Sequence, residues 1–220
     1  MKVTKEILKT PIAIIILSSI LVFFSAWPAF FLVNYGVFTQ EDFWFLFMVA
    51  LGAFGIIFLM PVFIIKKIFN KQTSDFGLCL PQKLNQAIKL TAITILIFLP
   101  ITFFLGSQSA FREYYALGQN TYYFLAFSII SSGLYYFSEE FLFRGFLFFG
   151  LWDKFKFHSF WIISLIFTLF HLGKPSLEVP LTFFLSLALC YLSFKTKSFI
   201  PAVIVHFSLA LVLNLVVFFL

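Results

Sequence analysis

The apolar positions of this chain fall in long runs separated by short polar stretches. A membrane-spanning helix needs about 20 mostly apolar residues, and residues 10–33, 43–65, 86–105 and 199–219 each meet that length. Residues 121–150 form a further long run, interrupted only by Ser138, Glu139, Glu140 and Arg144. Two shorter runs, 159–172 and 179–194, complete the pattern. The expectation is an all-α fold: a polytopic membrane helix bundle of about seven transmembrane helices. Lys2, Lys5 and Lys9 precede the first run as the charged end of a signal peptide would, but the apolar core continues past Ala26. That exceeds the roughly 7–15 residues of a leader's apolar core, so the first run reads as a retained helix. Residues 70–83 and 106–120, the latter with Gly106 and Gly118, read as loops on opposite sides of the membrane.

Composition supports the membrane reading. The chain has 220 residues, 62% hydrophobic and 11% charged, with a mean hydropathy of +1.04. Soluble domains carry about 25% charged residues, and 37 phenylalanines are too many to hide in one soluble core. The expected setting is an integral, multi-pass protein of a bacterial-type plasma membrane. Lysine and arginine gather in cytoplasmic loops. With the N-terminus cytoplasmic, the inner segments carry twelve lysines and the outer ones only Arg112 and Lys174. The net charge of +6 then answers to anionic membrane lipids and asks for no nucleic-acid partner. Cys79 and Cys190 stand far apart, without disulfide-framework or metal-ligand spacing.

Against this background the polar residues at bilayer depth stand out, because each costs at least a few kcal/mol to insert. They are Glu139, Glu140, Arg144, His171, His206 and Asn214. At a rise of about 1.5 Å per residue, Glu140, His171 and His206 lie roughly 15, 18 and 10 Å from the cytoplasmic ends of their helices. Three helices thus bring their polar groups to a similar level. Neighbouring helical residues differ by about 100° and positions i and i+4 share a face. Glu140 is therefore expected to pair with Arg144, leaving Glu139 free to face a cavity. A carboxylate beside an imidazole can activate water. A buried ion pair locking the bundle, with core histidines beside it, is the plainer alternative. His158, beside Lys154 and Lys156, reads as solvated; Glu178, seven residues after His171 and past the Gly173-Lys174-Pro175 break, reads as an outer-surface charge, with folding back toward the site as the alternative. Ser131, Ser132 and Ser138 read as helix-packing residues.

Glu139-Glu140 with Arg144 four residues on, Phe167 and His171 at FxxxH spacing, and His206 in the last helix after a proline occur in that order. Together they resemble the signature of the CPBP intramembrane proteases, the CAAX prenyl and bacteriocin-processing (Abi-type) endopeptidases. The resemblance covers about residues 120–220. It divides the chain into N-terminal transmembrane helices and loops, 1–118, and a catalytic core, 119–220, within a single membrane-embedded domain.

The resemblance implies hydrolysis of a peptide bond in a peptide or lipid-anchored protein near the cytoplasmic face. Catalytic roles fall to Glu139, Glu140, Arg144, His171 and His206. Glu139, helped by His171, would activate the water and His206 would donate to the oxyanion. The family pattern usually has an asparagine four residues after the last histidine, where this chain has Ala210. Asn214 is then the candidate for oxyanion or supporting contacts. Glu139, His171 and His206 are candidate ligands for zinc, although no HExxH motif is present and a metal-independent glutamate mechanism is the alternative. Two other functions remain open at this level. One is an inactive immunity or binding protein of the same fold, for which Ala210 speaks. The other is a proton-coupled transporter, although no inverted repeat is visible in the sequence.

Overall fold

A computed structural model describes residue 7 and residues 10–34, 43–115 and 121–220; Lys2, Lys5, Lys9 and Gly118 lie outside them. The described residues are mostly helical, with no strand among them. Helix α1 spans Pro11–Asn34, and α2 is a continuous helix over 43–69. Helix α3 spans Leu84–Gly106 and the short α4 Ser109–Tyr115. Helix α5 runs unbroken over 121–155. It is followed by α6 (His158–Leu169), α7 (Glu178–Thr196) and α8 (Ile200–Phe219).

Helices are what a lipid environment demands, since only intra-segment hydrogen bonds satisfy the backbone there. Among the described residues, four helices are long and apolar enough to cross a membrane: Phe47–Phe69, Leu84–Gly106, Glu178–Thr196 and Ile200–Phe219. Pro11–Ser25 and His158–Leu169 are shorter apolar helices. The protein is an integral membrane protein. The long runs of the sequence became helices near the expected places, with shifted ends. Residues 43–69 continue four residues beyond the expected end, to a left-handed cap at Asn70 (φ 52°). The sixth helix stops at Leu169, before Gly173 (φ 96°) and Pro175. His171 therefore sits in a turn and not, as expected, on the helix.

Helix α5 is the centre of the bundle and packs against α1, α2, α6, α7 and α8. Its core run Phe141, Leu142, Phe143, Phe146, Leu147 and Phe148 is at most 1% exposed. This run shares one apolar cluster with Ile14 and Leu21 of α1 and Ile57 and Ile65 of α2. The segment Phe141–Leu147 winds as a π-helix directly after Glu140. Helix α3 is peripheral: only 11% of its apolar window is buried, against 33–39% for the other three spans. It packs mainly along α8.

The ends of the helices form two distinct faces. On one, the 70–83 loop is tied to the α7–α8 turn by Phe199 N–H donating to Gly77 O (3.3 Å) and Ser198 Oγ–H donating to Cys79 O. Phe76 of that loop stacks on Phe146 of α5, ring centroids 6.0 Å apart. Nine exposed lysines stand at this face: Lys66, Lys67, Lys71, Lys83, Lys89, Lys154, Lys156, Lys195 and Lys197. At the other face the end of α4 meets the start of α7, and Arg112 Nη1 donates to Leu220 O at 3.2 Å. Among the described residues, its cations are Arg112 and Lys174.

Candidate active site

Glu140 and Arg144 are both fully buried, and Arg144 Nη1 lies 3.0 Å from Glu140 Oε1. The i,i+4 pairing expected from the sequence is present even though the helix changes to π-type winding between them. The arginine is held on two further sides: Nη2 donates to Ser186 Oγ of α7 at 3.0 Å, and its Cζ lies 4.0 Å from the centre of the Phe167 ring. The same Glu140 oxygen receives His206 Nδ1 of α8 at 2.6 Å. Glu140 thus joins α5 to α8, while Arg144 joins α5 to α6 and α7.

Glu139 points elsewhere, as residues about 100° apart on a helix must. It lines a cavity of about 510 Å³ together with Tyr135, His171, Lys174 and His206. Its Oε1 lies 3.4 Å from the Tyr135 hydroxyl and its Oε2 3.7 Å from His206 Nδ1, both beyond short hydrogen-bond range. Its carboxylate therefore stays available to a ligand in the cavity.

The two imidazoles flank one phenyl ring, His171 at 4.6 Å and His206 at 6.0 Å from the Phe167 centroid. His171 Nδ1 lies 2.8 Å from Phe167 O. A carbonyl can only accept, so Nδ1 carries the hydrogen and neutral His171 keeps a lone pair on Nε2. Glu140 likewise engages His206 through Nδ1, leaving Nε2 as the nitrogen free for a ligand. The Tyr136 ring packs on His206 with centroids 4.4 Å apart.

A second, smaller cavity of about 100 Å³ adjoins the first and shares Tyr136, His171, Lys174 and His206 with it. Leu181 and Leu185 of α7 and Leu209, Ala210 and Asn214 of α8 are among its walls. The structure thus brings five sequence candidates into one locus, with Asn214 two turns further along α8. Glu178, expected as a surface charge, is instead half-buried and lines this cavity. It accepts from the Tyr115 hydroxyl at 2.7 Å and from Lys174 Nζ at 3.0 Å. Burial and the Glu178 carboxylate push the Tyr115 phenol well above its ordinary range, which keeps it a donor. His158 is exposed, as expected.

Sequence reading missed Tyr135, Tyr136 and Ser186, and the pairing of Glu178 with Tyr115 and Lys174. Tyr135 and Tyr136 precede Glu139 and Glu140 by four positions each, a spacing that could have marked them. Nothing local marks Ser186.

Among the described residues, Glu139, Glu140 and His206 form the one group of three acidic or imidazole side chains with ligand atoms all within 4.8 Å of one another. His171, an expected zinc candidate, is not part of it. Zinc binds nitrogen and carboxylate oxygen at about 2.0–2.2 Å. A Glu140–His206 separation of 2.6 Å leaves no room for both atoms on one tetrahedral ion, and Arg144 already occupies the same Glu140 oxygen. As arranged, Glu140 Oε1 and His206 Nδ1 are committed to each other, while Glu140 Oε2 is buried with no hydrogen-bond partner.

Residues 118–212 match the family model described as type II CAAX prenyl endopeptidase Rce1-like. That segment, 95 of the 220 residues, is similar to the Rce1-like domain and contains Glu139, Glu140, Arg144, His171 and His206. No curated protein and no solved structure matches the chain.

Proposed function

We propose, from an Rce1-like segment whose buried Glu–His–Arg cluster borders a cavity, that this protein is an intramembrane endopeptidase. Its substrate is a peptide or lipid-anchored protein held in the membrane. The single observation that carries the reading is the division of labour between adjacent glutamates: Glu140 is committed to Arg144 and His206, and Glu139 is free at the cavity. The reading takes α1, α2, α3, α5, α6, α7 and α8 as crossings, with the lysine-bearing face in the cytoplasm of a bacterial-type cell.

In this mechanism Glu139 takes a proton from water as the water oxygen attacks the scissile carbonyl carbon. It returns that proton to the leaving amine as the C–N bond breaks. His171, through its Nε2 lone pair, orients the same water. His206 donates from Nε2 to the developing oxyanion while Glu140 fixes the ring through Nδ1. With His206 protonated, two carboxylates, one guanidinium and one imidazolium sum to zero charge, which suits a site in lipid. Arg144 is a positioning residue, held too deep to touch substrate.

Asn214 belongs to substrate support in this reading. It lies eight residues, about 12 Å along the helix, from His206, too far for the same oxyanion but on the wall of the smaller cavity. The mechanism needs no metal, so chelators such as 1,10-phenanthroline are expected to leave cleavage unchanged. Loss of activity on chelation, restored by zinc, would show that the cluster rearranges around an ion.

The test is a comparison of membrane peptides from cells expressing the wild type and Glu139→Gln. New termini present only with the wild type support the proposal, and the variant should retain bound substrate on purification. Ala210 favours a second reading, a binding or immunity protein that has lost hydrolysis. That reading expects identical termini in both and an intact phenotype for Glu139→Gln.

A further inference from the structure

Both cavities are built from the same half of the bundle. On α5 they draw on Tyr135, Tyr136 and Glu139, upstream of the fully buried run 141–148 that leads to Lys154. On α8 they draw on His206 and on residues beyond it up to Asn214, away from the Lys197 end. Helix α7 contributes between Glu178 and Leu185, whereas Leu189, Cys190 and Leu192, nearer Lys195, are at most 1% exposed. Helix α3 contributes Phe98 to Leu105 and not its Lys83 end, and α1 contributes Val22 to Ser25. At the far end of α6 the turn supplies His171 and Lys174. The contributing helices thus border the cavities with residues at mid-helix or nearer the face bearing Arg112 and Lys174, and none does so with its end at the face bearing nine lysines.

Lysine-rich ends mark the cytoplasmic side of a membrane protein. Resting on the endopeptidase reading above, we infer that the substrate reaches Glu139 from the non-cytoplasmic side. The substrate class is a membrane-anchored peptide whose scissile bond lies in the outer half of the bilayer or just outside it. This replaces the expectation of a substrate at the cytoplasmic face. Lys174, which lines both cavities and is shared with Glu178, is the cation such a peptide meets on entering.

Thiol accessibility tests the inference without needing catalysis. Native Cys79 is half-buried on the lysine face and Cys190 is fully buried, so Cys79 reports one side. Ser25→Cys, nearly isosteric on the wall of the larger cavity, reports the other in a Cys79→Ser background. A small charged methanethiosulfonate that cannot cross lipid is added to right-side-out and to inverted vesicles. Ser25→Cys should be modified in right-side-out vesicles and protected in inverted ones, with wild-type Cys79 showing the reverse. Modification of Ser25→Cys only in inverted vesicles, or in neither, overturns the inference, as does Cys79 reacting from outside. Adding the peptide captured by Glu139→Gln to the same vesicles separates the two proposals. Labelling from outside without cleavage in either orientation sinks the endopeptidase reading and leaves the access route standing.

Discussion

A guanidinium with no exposed surface must be met on several sides, and Arg144 is met by Glu140, Ser186 and the face of Phe167. Removing one member of a buried pair leaves an uncompensated charge and costs about 3–5 kcal/mol. Arg144→Ala should therefore lower the thermal stability of the detergent-solubilised protein and its activity together. Glu139→Gln should remove activity and leave the melting temperature near that of the wild type, because its carboxylate has only long contacts. Equal stability of the two variants would mean that Arg144 is not the partner on which Glu140 depends. Asn214→Ala should act on binding: losing one hydrogen bond of about 1 kcal/mol raises KM roughly fivefold with kcat little changed. At this scale the sequence was legible where spacing carried the information. The four-residue step from Glu140 to Arg144 foretold their pairing, and the adjacency of Glu139 and Glu140 foretold their divergence. Ser186 was illegible because one buried serine in an apolar helix carries no sign of what it faces.

At the scale of elements, close approach of backbones fixes where the helices sit. A Cβ at Gly145 would come within 2.8 Å of Phe141 Cδ2 and 2.9 Å of the Phe76 carbonyl oxygen, so the 70–83 loop lies directly on α5 there. Gly145→Ala should push the loop away and cost about 1–3 kcal/mol as overpacking does, read as a lower melting temperature. A control at Gly52, where a Cβ would meet nothing within 4 Å, should be nearly silent. Helix positions were readable as apolar runs, but ends were not, because they depend on backbone conformations such as the left-handed Asn70 and Gly173. The early end of α6 matters most. It moves His171 into a turn, where Nδ1 bonds the Phe167 carbonyl of the last helical turn. The same turn carries Lys174 toward Glu178, a long-range convergence that charge counting along the chain could not reveal.

For the whole molecule, one apolar cluster joins α1 and α2 to the run after Glu140, so the helices before residue 118 help to hold the Rce1-like segment. Charge divides the molecule into two faces, and neither cavity is bordered by helix ends at the lysine-rich one. The distribution of lysines was already visible along the sequence. The direction of the cavities was not, since it depends on which half of each helix packs solidly against α5. The account as a whole stands on Glu139 acting as the base of a hydrolase. The most direct measurement is the single-turnover cleavage rate of the captured peptide by purified, reconstituted wild type and Glu139→Gln at matched thermal stability. General-base catalysis contributes about 10²–10⁴ in rate, and a loss of at least that size with peptide binding retained is the predicted result. Cleavage by Glu139→Gln at the wild-type rate, or a wild type that binds the peptide and never cuts it, would contradict the account.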